Sequence, residues 1–312
     1  SPHPMVRHRV RNAPCPVRMP DGVPWLLDPA SIRLALDDMA DVFAGPHPLV
    51  FGVFAGDEVA DWAIKQGATL AARPADYGYI HQADREVREQ FGGGKWGIPQ
   101  GLAERDPDPY KWIAFRRWVN ARLRERNAEL RRIVREHEPE MPVISVDGGG
   151  EPGVYEISAQ ADLFDIFTNQ YAGSGNPWRC TLGYHTKVLS DLSGKEVWPC
   201  AHVEHYTQRL TPQETLEDLS QVFRNGGTGL HLFLPDTGAG SRLSGDTHHC
   251  LFGSPRRYHT ITNILDLLRT MPQVRHPEAT RVGILSNDDT LCAEPYDSPR
   301  PYSEQTLSLI HI

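Results

Sequence analysis

His47-Pro-Leu-Val-Phe-Gly-Val-Phe-Ala-Gly-Asp-Glu-Val-Ala-Asp-Trp62 is the stretch on which the reading of this chain turns. Leu49 to Phe54 is a short apolar run without polar alternation, the pattern of a strand buried on both faces, as in a parallel sheet. It ends abruptly in Gly56-Asp57-Glu58. Acids directly after a buried strand occupy the position where α/β barrels keep their chemistry, the carboxyl end of the strand. The plainer reading is that Asp57 or Glu58 caps the next helix, because acids favour helix amino termini.

Outward from this stretch, strands and helices alternate. Upstream, residues 1–31 are rich in Pro and Arg and read as loop, with Asp28-Pro-Ala-Ser31 as a helix start. Ile32 to Phe43 carries a helical apolar stripe. Downstream, Val59 to Ala72 reads as helix and residues 73–111 as a long irregular segment. Lys111 to His137 is a long amphipathic helix with Trp112, Phe115, Trp118, Val119, Leu123, Leu130, Ile133 and Val134 on one side. Its arginines are expected to form a solvated face. Four further buried-type strands follow: Pro142–Val146, closed by Asp147; Leu163–Phe167, leading to Tyr171; Glu196–Val203, ending in Glu204; and Gly229–Leu234, followed by Asp236. Helices are expected at Thr181–Leu192, at Thr211–Asn225 with capping-box spacing, and at Tyr258–Met271. Arg281–Ser286 is a last strand.

This order is that of a (β/α)8 barrel, but an intact barrel needs eight units. The chain holds about five, all after residue 48, so strands 1–3 are expected to be missing. The domain reading is a loop-rich remnant at 1–31, the carboxyl-terminal part of a barrel at 32–275, and the start of a following domain at 276–306. Leu307-Ser-Leu-Ile-His-Ile312 matches the translation of a transposon-end sequencing adapter and is set aside as a scar.

Composition narrows the function classes. The chain has 312 residues, 39% hydrophobic and 23% charged, an ordinary globular balance. Its net charge of −8 gives no basic footprint for a nucleic acid. No apolar run approaches the roughly 20 residues that span a bilayer. Ser1 to Arg7 lacks the apolar core of a signal peptide, so a cytoplasmic location is expected, with the native amino terminus missing. The five cysteines are scattered without a CxxC pair, which suggests neither a disulfide framework nor a zinc ribbon. No GxGxxG or GxxxxGK motif is present, so no nucleotide cofactor is expected.

Two segments resemble glycoside hydrolase family 42 and its relatives in clan A. His47 to Glu58 is similar to the family's fourth barrel strand, which ends in the acid/base Glu. Glu196 to Glu204 is similar to the seventh, whose final Glu is the nucleophile. Phe164 to Tyr171 resembles the sixth strand, Gly226 to Leu234 the eighth, and Arg281 to Ser286 the start of the domain after the barrel. The chain departs from the family at Asp57, where the family has Asn, and at Pro235-Asp236, where it usually has Trp.

The resemblance implies a retaining glycosidase for β-linked glycosides, of which β-galactosides are the family's case, with no cofactor and no metal. Glu58 would be the acid/base, its pKa raised by burial and by the second carboxylate, and Glu204 the nucleophile. Tyr171 would hydrogen-bond Glu204, and Asp57 a sugar hydroxyl. Asp147 and Asp236 are second-rank sugar contacts, and Trp178 is a candidate for stacking on sugar. Trp62, Trp96 and Trp198 are others, although Trp62 and Trp198 fit a core equally. A carbohydrate substrate is the expected partner, and family relatives form trimers, so an oligomer is implied for the full-length parent. Two alternatives stay open. One is a catalytically inactive carbohydrate-binding barrel. The other is a metal-dependent hydrolase using His202, Glu204, His205, Asp246, His248 and His249, although strand alternation keeps His202 and His205 from facing one ion.

Overall fold

The computed structural model describes residues 25–44, 52–54, 59–73, 78–102, 104–148, 163–167, 183, 186–187, 189–191, 194–202, 211–233, 255–270, 282–285 and 308–311. They fall into two compact units, residues 1–161 with 280–312 and residues 162–279.

In the first unit, helix α1 (Pro29–Phe43) precedes strand β1 (Val53–Phe54). Helices α2 (Val59–Ala71), α3 (Gly78–Gln90) and α4 (Pro109–His137) follow, and then strand β2 (Val143–Gly148). Strands β1 and β2 are parallel, with Val53 opposite Val143 and Phe54 opposite Ile144. Parallel neighbours need a crossover between them, and α2 to α4 supply it. Helix α1 starts where Asp28-Pro29 places it: the Asp28 carboxylate accepts from Ala30 N at 2.9 Å, and Pro29 takes the first helical turn. Asp108 and Pro109 repeat this arrangement at the start of α4.

All eight apolar positions expected on one side of the long helix are buried. Trp112, Phe115 and Trp118 join Trp25, Leu27, Ala63, Ile64 and Leu70 in the main core. Each of the three indole N–H groups has an acceptor, as buried tryptophans require. Trp25 donates to Ala63 O at 3.0 Å, Trp112 to Asp106 O at 2.8 Å, and Trp118 to Glu86 Oε2 at 3.2 Å. Gly67 lets α2 approach this cluster, because a Cβ there would lie 2.5 Å from Phe115 and 3.0 Å from Trp25. A second cluster of Phe43, Val53, Leu130, Val134, Met141 and Val143 packs the end of α4 on the starts of the strands.

Two expectations are corrected in this unit. The stretch 73–111 is not irregular throughout, because α3 lies inside it and buries Ile80, Ala83 and Val87 at helical spacing. The arginines of α4 are not all on a solvated face. Arg116 is 2% exposed, and it shares one side of the helix with the buried Asn120 and Asn127. All three have partners within the chain, which is how a buried guanidinium and buried amides are tolerated.

The second unit holds strands β3 (Leu163–Phe167), β4 (Glu196–His202) and β5 (His231–Phe233), with helices α5 (Pro212–Arg224) and α6 (Pro255–Thr270). Strand β4 pairs in parallel with both others, Phe167 opposite Cys200 and His202 opposite Phe233. The capping box read from the sequence is present on α5. Thr211 Oγ1 accepts from Glu214 N at 3.2 Å, and Glu214 Oε2 accepts from Thr211 N at 2.7 Å. Helices α5 and α6 pack through Leu219, Val222, Ile261 and Ile264. Strands β6 (Val282–Leu285) and β7 (Ser308–His311) form an antiparallel pair, so Leu309 and Ile310 of the adapter-like stretch are in a sheet.

Candidate functional site

The scaffold of the expected site is the set of strand ends. In the second unit, β3, β4 and β5 are in register and parallel, so their carboxyl ends lie along one edge of the sheet. Phe167 precedes Tyr171 by four positions, His202 precedes Glu204 by two, and Phe233 precedes Asp236 by three. In the first unit, Phe54 precedes Asp57 and Glu58 by three and four positions. Asp147 lies within β2, three positions past the residue that pairs with Phe54. Asp57, Glu58, Tyr171, Trp178, Glu204 and Asp236 themselves lie outside the described residues. So do His205, Asp246, His248 and His249 of the metal alternative.

Two of the stacking candidates are placed, and both make contacts within the chain. Trp198 sits four residues before the end of β4, about 13 Å back along the strand at the usual rise. Its indole N–H donates to Glu196 at 3.1 Å, and its ring lies so close to Gly229 that a Cβ there would be 2.6 Å away. Trp96 has Tyr110 stacked on it at 4.8 Å and Lys95 Nζ over the ring at 4.5 Å.

The loop 91–108 is built on two carboxylates that sequence reasoning missed. Asp84 accepts from Arg88 Nε at 2.7 Å and from Ile98 N at 2.7 Å. Asp106, 6% exposed, accepts from Gln100 N at 2.9 Å and from Lys111 Nζ at 2.6 Å. Burial alone would raise the Asp106 pKa, but the Lys111 hydrogen bond, the Gln100 amide and the Lys111 charge together hold it below the usual carboxylate value. A depressed carboxyl stabilises the fold above its unfolded pKa of about 4, and that contribution is lost as pH falls through the folded value. Asp106→Asn is therefore expected to cost about 1–3 kcal/mol at neutral pH and to cost progressively less below about pH 4. Urea titrations of both proteins across pH 3–7 read this, and parallel pH profiles would contradict it. The only available signal was Asp106-Pro-Asp-Pro109, which marks a helix start but not its tertiary partners.

Burial and the Glu86 charge raise the Tyr79 phenol well above its ordinary range, so it stays protonated. A cavity of about 600 Å³ lies between α1 and α4, lined by Ile32, Leu36, Ile133 and the charges of Arg122, Glu129 and Arg132. It contains none of the residues expected to carry chemistry. Among the described residues no helix is long and apolar enough to cross a membrane.

No protein-family profile and no curated protein matches the chain. Solved structures do. The β-galactosidase of the Antarctic haloarchaeon Halorubrum lacusprofundi is similar at 17% identity and a TM-score of 0.54, over 80% of this chain and 42% of that one. The β-galactosidase of the psychrophilic Marinomonas ef1 gives 10% identity and 0.54, over 88% and 51%. An exo-β-agarase gives 13% identity and 0.53, over 80% and 39%. This chain thus spans about two fifths to half the length of the structures it matches. At these identities the likeness is one of fold alone, and the parallel strands and crossover helices within each unit agree with an α/β fold.

Proposed function

We propose that the chain is the later part of a (β/α)8 barrel, strands four to eight with the start of a following domain, from a retaining glycoside hydrolase of the family 42 type. Its substrates are β-linked glycosides, β-galactosides among them. The observation that carries the reading is the shared strand edge of the second unit. Tyr171, Glu204 and Asp236 each follow the same end of three parallel, in-register strands by two to four residues. Strand ends are where barrel enzymes hold their catalytic groups. The fold likeness to β-galactosidases and an exo-β-agarase supports the substrate class.

The chemistry follows from the two carboxyl groups. Glu204 attacks the anomeric carbon while Glu58 protonates the leaving oxygen, so that the glycosidic bond breaks as an ester to Glu204 forms. Glu58, now a carboxylate, takes a proton from water, and the resulting hydroxide opens the ester and returns both residues to their starting state. Two displacements at one carbon leave the β configuration unchanged. The reaction requires the two carboxyl groups to lie about 5–5.5 Å apart.

Substrate contacts in a barrel come from loops after all eight strands, and catalysis needs its groups held within about 0.5 Å. Residues 1–312 alone are therefore expected to hydrolyse aryl β-galactosides poorly or not at all. The barrel completed with its first three strands is expected to be active. Proton NMR of its first product tests the mechanism. Initial release of the β-anomer is expected, and initial release of the α-anomer would rule out double displacement.

A further inference from the structure

At the start of α4 an exposed Tyr110 stacks on the partly buried Trp96 of the preceding loop, on the side of the first unit toward which the strands' carboxyl ends point. The direction of α4 establishes this. Leu130 and Val134 pack with Met141 and with Val143, the first residue of β2. Earlier in the helix, Trp112, Phe115 and Trp118 pack in the cluster that contains Ala60, Ala63 and Ile64 of α2. Helix α2 begins five positions after β1 ends. Helix α4 therefore runs back along the strands, and its amino terminus lies on their carboxyl-end side. Its 29 residues measure about 43 Å at 1.5 Å each, against about 20 Å for the 6 residues of β2, so that terminus projects beyond the strand ends.

Tyr110 is the second residue of α4 and is 57% exposed. Its ring stacks on Trp96 at 4.8 Å with an interplanar angle of 29°. With that face covered, the exposure belongs to the opposite face and the edge. Trp96 in turn rests on the main core and has Lys95 over its ring. The support beneath is rigid, because Asp84 pins Ile98, Asp106 pins Gln100, and Asp106 also binds Lys111, the neighbour of Tyr110. A ring already held in place loses little freedom when a ligand covers it.

We propose that Tyr110, backed by Trp96, is a binding platform for one sugar unit of a β-linked galactose polymer. The flat apolar face suits the C–H face of a pyranose, and this stacking needs the ring and not the phenol O–H. The projection of α4 past the strand ends means that only a chain of several sugars could reach from there to a reacting unit at those ends. A nucleic acid strand also stacks on aromatic rings, but the net charge of −8 disfavours it. The inference rests on the glycosidase reading for its choice of polymer.

The test is native electrophoresis of the full chain in gels containing soluble β-1,4-galactan, with serum albumin as mobility reference. The wild type and Tyr110→Phe are expected to be retarded alike. Tyr110→Ala is expected to bind at least fivefold more weakly, with an unchanged thermal transition. Equal retardation of Tyr110→Ala, no retardation of the wild type, or retardation by single-stranded DNA in place of galactan would overturn the proposal. Retardation needs no turnover, so an inactive chain still reports on it. Hydrolysis of a short aryl galactoside by the completed barrel, with a substrate too short to reach both positions, tests the glycosidase reading separately.

Discussion

Glu204→Ala in the completed barrel is expected to lower kcat/KM for aryl β-galactosides by roughly a thousandfold or more, the order of effect found when a covalent nucleophile is removed. The loss should be the same for good and poor leaving groups, because without the carboxylate no glycosyl ester forms at all. Binding of galactose should change little, because an alanine at this position removes the attacking oxygen and leaves the rest of the pocket. The measurement is a comparison of steady-state rates on 2,4-dinitrophenyl and 4-nitrophenyl β-galactosides. Parent-like turnover by Glu204→Ala would mean that the nucleophile lies elsewhere.

Glu58→Ala is expected to show the opposite dependence on the leaving group. A good leaving group needs little protonation, so the dinitrophenyl substrate should still form the glycosyl ester while poorer substrates slow by roughly 10²–10⁴-fold, the range for losing a general acid. The second step then lacks its base. Azide needs no deprotonation to attack, so adding it should raise turnover of the dinitrophenyl substrate and yield β-galactosyl azide. Equal slowing on both substrates, without azide rescue, would remove Glu58 from the acid/base role.

What could be read in advance and what could not divide along physical lines. The strands were legible because runs such as Leu163–Phe167 and Val143–Val146 are short and mostly apolar, each with a single polar residue, Asp165 and Ser145. The caps at Asp28 and Thr211 were legible because capping is local, set within three residues. Helix α3 was hidden because its buried face is three small or medium residues among charges, Ile80, Ala83 and Val87. The role of Asp84 depends on an amide 14 residues away, and the burial of Arg116 depends on tertiary partners, neither of which a local pattern encodes. Trp96 and Trp198 look alike as aromatics beside strands or loops, and only the structure shows that their rings contact Tyr110, Lys95 and Gly229. For the site, the sequence and the strand register together supply the positions just past each strand end. The side-chain geometry of Glu58 and Glu204 lies outside the described residues.

The central claim is that Glu204 becomes covalently attached to the sugar. A 2-deoxy-2-fluoro-β-galactoside with a dinitrophenolate leaving group tests it most directly, because the fluorine slows the second displacement more than the activated first one. Incubation with the completed barrel, digestion and peptide mass spectrometry should find one 2-deoxy-2-fluorogalactosyl group, on the peptide containing Glu204 and on that carboxylate. A label on any other residue, or continued turnover of the parent substrate with no label at all, would contradict the account.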